Sequence, residues 1–427
     1  MRIVHFSVSA IARQPWMIVE GLRKHAGVDA HLVDLERYSY STFCYDIVFS
    51  EQPERAIELA ETADIITLHN TLDLNSRQFA PIDFRRLAKK GVAFVRMFHT
   101  EPELIAQRMG TSVEDVLNCD LPSMASSHFQ ERCYPRARAL PLMVMSEDPL
   151  CQPVDDTPSI DIFYSYTNDS LAFADRWATK SFREMSAMLG EVQASTGCSL
   201  QICSRMPQEE VFAIKRRSLI TTEELITGTY HTSALEGLCM GKATLAYLDH
   251  RLEYALRVIA GTEEVPFINV RLEDAPPVLE YLLRHRNEAM EIGQRGREWI
   301  DKYWSEPVLV GHFMRAYQEL LEHPGRLDRQ PELRLDGIKR FWGVTLPDLI
   351  QEARARRYAL VQPTIAARVP PLNPSAKPPK PAGAPPPTSP PQGPSEPHVK
   401  PPLLVRVRWR MRRVYNRFRY GTPEPGR

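Results

Sequence analysis

The chain has 427 residues, 43% hydrophobic and 25% charged, an ordinary globular composition that is too long for one compact core and implies two domains with appendages. Basic and acidic residues both number 53, so the total charge says nothing, but its distribution does. Residues 369–427 hold 11 basic and 2 acidic side chains, a net of +9, which leaves −9 on residues 1–368.

Three classes are set aside at once. The start, M-R-I-V-H-F-S, reads as a strand and lacks the pattern of a secretory leader. No apolar run approaches the roughly 20 residues needed to span a bilayer. The seven cysteines (Cys44, Cys119, Cys133, Cys151, Cys198, Cys203 and Cys239) form no C-x-x-C pair, so they read as small buried apolar side chains of a reducing, cytoplasmic compartment.

Along the chain, β-branched runs alternate with amphipathic ones. Strands are expected at Ile3–Phe6, Ala30–Val33, Asp46–Phe49, Asp64–Leu68, Val92–Phe98 and Ala139–Val144, with helices at Trp16–His25, Glu54–Glu61 and Arg85–Lys90. Such alternation implies βαβ units and a parallel sheet. After the polar break Cys151–Ser159 the pattern restarts. Strands at Ile160–Tyr164, Leu200–Cys203, Ser218–Thr221, Ala243–Leu248 and Phe267–Val270 alternate with helices at Phe182–Ala194, Glu209–Arg216 and Ser233–Cys239. Helices at Val278–His285, Asn287–Tyr303 and Pro307–His323 follow. The expected plan is α/β, with Rossmann-like domains over 1–157 and 158–323, the last helix packing back on the first, and a helical extension over 324–368. Residues 369–402 form a Pro-rich linker, with 15 prolines between 370 and 402. A basic, aromatic tail covers 403–427, with seven arginines and no acid in Leu403–Tyr420.

The stretch T-S-A-L-E-G-L-C-M-G-K-A-T-L-A-Y-L-D, Thr232 to Asp249, carries the chemistry. Thr232 and Ser233 suit a helix N-terminus, and Glu236 lies in the first turn, where an acid is favourable with the helix dipole. That alone explains it. The alternative is that the free amides hold a diphosphate while Glu236 accepts from a ribose.

S-A-L-E-G-L-C-M-G-K-A-T-L-A-Y resembles the donor segment of the GT-B-fold, retaining, group 1 (glycogen-synthase-like) glycosyltransferases. S-R-M-P-Q-E-E-V-F resembles that family's strand and following helix, I-A-R-Q-P-W-M-I-V-E-G-L its first loop and helix, and A-D-I-I-T-L-H-N its strand ending in His-Asn. Q-E-R-C-Y-P-R-A-R-A-L-P is similar to the segment before the interdomain linker. The resemblance spans residues 1–322 and implies two domains facing across a cleft. It also implies transfer of a sugar from a nucleotide-sugar co-substrate to a glycan, lipid-linked or protein acceptor, with retention.

By that resemblance Glu236 would bind the ribose, with Thr232 and Ser233 near the phosphates and Lys180 or Arg205 as counter-charges. His99 and Glu101, at the end of an apolar strand, are the catalytic candidates, and Gln14, His69 and Asn70 the acceptor-side ones. No D-x-D occurs in the chain, which suits metal-independent transfer with no other cofactor. There are departures. Gly228 stands where the family often has a second glutamate, Ala243 where it usually has proline, and no clear R-x-x-x-x-K-G phosphate clamp follows the Ile160–Tyr164 strand. These keep a second reading open, a catalytically inactive GT-B binding or scaffold subunit. The tail admits contact with an anionic membrane surface at its inner face, with nucleic acid, or with an acidic protein surface, and the membrane is favoured.

Overall fold

Runs rich in Ile, Val, Phe and Leu bury both faces, as strands of a parallel sheet must when helices cover each side. In the computed structural model the described residues are 1–9, 11–37, 45–127, 133–154, 156–166 and 180–334, with 346, 349 and 350. The Pro-rich linker, the basic tail and most of the expected helical extension lie outside them.

The first sheet is built from β1 (Arg2–Ser7), β2 (Asp29–Asp34), β3 (Ile47–Val48), β4 (Ile65–His69), β5 (Ala93–Phe98), β6 (Ser123–Ser126) and β7 (Arg138–Leu140). Its order is β3-β2-β1-β4-β5-β6-β7, with every pair parallel. Between the strands run α1 (Gln14–Ala26), α2 (Pro53–Glu61), α3 (Phe84–Lys89), α4 (Pro102–Met109) and α5 (Val113–Leu117). The chain winds outward both ways from the β1/β4 junction, a doubly wound topology.

The second sheet repeats the scheme with five strands, β8 (Ile160–Tyr166), β9 (Leu200–Ser204), β10 (Ser218–Thr222), β11 (Ala243–Ala246) and β12 (Ile268–Asn269). Its order is β12-β11-β10-β8-β9, again all parallel, with its reversal between β8 and β10. The helices are α6 (Phe182–Thr196), α7 (Gln208–Arg216), α8 (Thr232–Cys239), α9 (His250–Ala260), α10 (Ala275–Arg284), α11 (Arg286–Tyr303) and α12 (Glu306–Glu322).

Four elements stand beyond those expected, α4, α5, β6 and α9. β6 is S-M-A-S, without a β-branched residue, and is a strand because it pairs with both β5 and β7. α9 is capped by Asp249, whose carboxylate accepts from the amides of Arg251 (3.1 Å) and Leu252 (2.9 Å). Asp249→Ala is expected to cost about 1 kcal/mol, read from chemical denaturation.

Helix α12 crosses back to the first sheet. Its Tyr317 hydroxyl meets Thr67 Oγ1 (3.1 Å) and His5 Nε2 (3.2 Å), and its Glu319 pairs with Arg138. Just before it, Trp304 donates its indole N–H to the Leu142 carbonyl (3.1 Å). At the start of α12, buried Glu306 faces Lys24 Nζ (3.2 Å) and His25 Nε2 (3.0 Å) and accepts from the Glu147 amide (2.8 Å). The lysine also reaches Glu147 at 2.7 Å, so its ammonium bridges the two carboxylates of a cluster that otherwise resembles a metal ligand set. One apolar core runs from Met17, Ile18 and Leu22 of α1 through Leu142 and Met143 to Leu235 and Leu238 of α8 and Phe313 of α12. Two doubly wound domains with the last helix returned to the first is the GT-B arrangement. Cys119, Cys151, Cys198, Cys203 and Cys239 are free thiols. Among the described residues no helix is long and apolar enough to cross a membrane.

Candidate functional site

In an open parallel sheet, ligands sit beyond the carboxyl ends of the strands where the topology reverses. In the second domain that place is the end of β8 and β10, and α8 begins there. His231 is the N-cap of α8, whose first amides lack intrahelical acceptors. Beside it, at the end of β10, Glu223 is buried, with Oε1 at 3.2 Å from His231 Nδ1 and 3.3 Å from Lys180 Nζ. Burial alone would raise this carboxyl, but Lys180 and His231 more than reverse that and hold it well below the usual range. Its Oε2 is buried without a hydrogen-bond partner among the described residues.

One turn along α8, Glu236 keeps 12% of its side chain exposed. Its Oε2 accepts from Lys215 Nζ at 2.5 Å, and no partner is seen for Oε1 among the described residues. Lys215 is wholly buried. The same ammonium donates to Ser233 Oγ (3.0 Å) and to the Ser233 carbonyl (3.2 Å). Phe163 and Phe212 set their rings 5.3 and 5.8 Å from it, which suits a desolvated cation. Ser233 Oγ also lies 3.3 Å from Ser165 Oγ at the end of β8. The arrangement gathers the N-terminus of α8, an oriented carboxylate and the ammonium groups of Lys180 and Lys215, brought together from separate elements.

No protein-family model matches the chain, and no curated protein does. Solved structures do. Sucrose-phosphate synthase from Thermosynechococcus elongatus is similar at 11% identity and a TM-score of 0.48, over 75% of this chain and 99% of that one. A glycosyltransferase from Rickettsia africae is similar at 13% and 0.45, over 75% and 99%. Anabaena HepE, in complex with UDP-glucose, is similar at 8% and 0.47, over 75% and 100%. The likeness is one of fold, and the reading of the site rests on its own geometry.

That geometry redistributes the expected residues. Thr232 and Ser233 open α8, Glu236 stands one turn further on rather than in the first turn because the helix begins at Thr232, and Lys180 reaches the N-cap through Glu223. Arg205 is exposed at the end of β9. Gln14 does not line an acceptor surface. It is buried, donates its amide N–H to Met143 O (2.9 Å) and Thr232 Oγ1 (3.1 Å), and accepts from Met143 N (3.0 Å), clipping the first domain to α8. Ser127 Oγ and Tyr230 Oη, 3.1 Å apart, make a second such clip.

The histidines also change role. His69 is wholly buried, and Asn70, nearly so, accepts the His99 amide on Oδ1 (2.8 Å). Both ring nitrogens of His99 are engaged, Nε2 with His69 Nδ1 and Nδ1 with Ser126 Oγ, each at 2.9 Å. Burial lowers it to about 3. A free general base has an unengaged nitrogen and a basicity near the working pH, and His99 has neither. Glu101 stands at the N-cap of α4, half-buried, with its Oε2 accepting from the Thr100 hydroxyl (2.9 Å).

The residue types alone passed over Lys215, Glu223 and His231. Lys215 was within reach, since a lysine three places after Phe212 falls on the apolar stripe of α7. Gly228 also finds its reason. Its φ is +83°, and a Cβ there would lie 2.9 Å from Asp249 Cβ, so a glutamate does not fit.

Proposed function

We propose that this chain is a glycosyltransferase that draws on a nucleotide-sugar donor held at the N-terminus of α8. The observation that carries the reading is Glu236. Lys215 fixes one oxygen from the buried side and leaves the other directed to the partly exposed one, the geometry a carboxylate needs to accept from a ribose hydroxyl. The amides at Thr232 and Ser233 and the helix dipole suit a diphosphate. Lys180 and His231, both held by Glu223, would oppose the charge that develops on the leaving group. The unpartnered oxygen of Glu223 would accept from a sugar hydroxyl. We read transfer as metal-independent because these groups supply the counter-charge, and as retaining by the resemblance described above. A glycan, lipid-linked or protein acceptor would enter from the first domain.

Thermal unfolding with a panel of UDP-, GDP- and ADP-sugars tests this. A ligand at a hundred times its Kd stabilises by about 2.7 kcal/mol, so one member of the panel is expected to raise Tm by several degrees. Glu236→Ala is expected to abolish that rise. A panel with no effect would leave the scaffold reading, and an undiminished rise in the variant would remove Glu236 from the site.

A further inference from the structure

Three histidines cross the first sheet as a staircase. His5 on β1 pairs in register with Thr67, and His69 stands two residues beyond Thr67 on β4. His69 pairs with Met97, and His99 stands two residues beyond it. Phe98 pairs with Ala125, which sets His99 beside Ser126. Because side chains alternate faces, each two-residue step keeps the rings on one side of the sheet while moving toward its carboxyl edge. The rings stack, with centroids 5.2 Å apart for His5 and His69 and 5.0 Å for His69 and His99.

Every nitrogen along the staircase is engaged. Tyr317 Oη lies 3.2 Å from His5 Nε2, His5 Nδ1 lies 2.9 Å from His69 Nε2, and His69 Nδ1 lies 2.9 Å from His99 Nε2. His99 Nδ1 ends the series on Ser126 Oγ at 2.9 Å, and Tyr317 closes the other end on Thr67 Oγ1 at 3.1 Å. Burial holds all three rings neutral, His5 at about 3 and His69 well below its ordinary value.

A neutral imidazole has one N–H and one lone pair. One proton therefore lies between each pair of rings, and the choice made by one ring dictates the next. If His5 carries its proton on Nε2, His69 and His99 must do the same, and the Ser126 hydroxyl donates to His99. If His5 carries it on Nδ1, all three do, and His99 donates to Ser126, whose own proton is then free to turn elsewhere. A single dissenting ring would set two lone pairs or two N–H groups against each other at 2.9 Å. At the hydroxyl ends both polarities are satisfied, since Tyr317 and Thr67 can each donate or accept.

We propose that His5, His69 and His99 act as one tautomeric unit, closed at Tyr317 and read out at the buried Ser126 on the carboxyl edge of the first sheet, so that His5, His69 and Tyr317 are positioning residues for that edge. The edge is where the domains meet, for the adjacent Ser127 bonds to Tyr230. The staircase thus fixes, from a point three strands away, whether the buried Ser126 hydroxyl beside the domain junction gives or takes a hydrogen bond. The coupling stands whether or not the chain transfers sugar. Its consequence for an acceptor hydroxyl rests on the function proposed above.

The test is the tautomer of each ring, read from two-bond proton–nitrogen correlations in the full chain labelled with 15N-histidine, with no substrate present. In the unaltered protein His5, His69 and His99 are expected to show the same form. Tyr317→Phe removes the partner of His5 Nε2, and a bare lone pair is tolerated there better than a buried N–H, so all three rings should hold their protons on Nδ1. Ser126→Ala does the same at the other end and should place all three on Nε2. The same tautomer for His99 in both variants, or mixed forms in the unaltered protein, overturns the proposal. If one variant does not fold, the unaltered protein and the other variant still decide it.

Discussion

Lys215→Met is expected to lower stability by about 3 kcal/mol, toward the lower end of the range for breaking a buried ion pair, and to abolish nucleotide-sugar stabilisation. Methionine fills the same volume between Phe163 and Phe212, so packing is largely kept. What is lost is the ammonium that holds Glu236 Oε2, Ser233 Oγ and the Ser233 carbonyl at once. The destabilisation falls low in the range because Glu236 retains some solvent and can turn outward, and that movement takes the carboxylate away from a ribose. Denaturant unfolding and the thermal panel read the two effects separately. Lys215→Met combined with Glu236→Leu removes both charges, and stability should largely return while donor binding does not. Recovery of donor binding in the double variant would show that Glu236 is no ligand. An unchanged midpoint in the single variant would show that the pair contributes nothing.

Lys215 also shows where residue patterns stop being informative. The buried runs of β1, β4 and β5 announce themselves because a strand covered on both faces has to be continuously apolar, and the restart after Cys151–Ser159 marks the second domain for the same reason. Glu236 was legible because its place depends on a local feature, the N-terminal half of a short helix, although it lies one turn further in than expected. His5, Glu223 and Lys215 depend on partners 64, 8 and 21 residues away, and no local pattern encodes those. His69 and His99 looked like two separate strand-end groups facing a cleft. They are one buried series, because the parallel register places each ring two residues beyond the pairing partner of the last. β6 was missed because S-M-A-S owes its conformation to two neighbouring strands rather than to its own side chains.

Gly293→Ala is expected to cost about 3 kcal/mol, the upper end of overpacking, and to weaken donor binding from the far side of α8. A Cβ on Gly293 would stand 2.1 Å from the Gly241 carbonyl oxygen, 2.7 Å from its carbon and 3.0 Å from the Ala243 amide nitrogen. All three are backbone atoms, so no side-chain rotation relieves the clash. Gly241 lies in the turn that ends α8, where its amide donates to Leu238 O (3.0 Å) and the Lys242 amide donates to Gly237 O (2.9 Å). To admit one methyl group, α11 must move away from that turn, or the turn must move and tilt α8, and Glu236 with it. Gly190→Ala in α6 supplies the contrast, since a Cβ there meets nothing within 4 Å. The gain in helix propensity should stabilise that variant by up to about 1 kcal/mol. Opposite signs for the same chemical change separate close backbone approach from propensity. A Gly293→Ala protein as stable as the parent would mean that α11 is not seated against the turn below the donor helix.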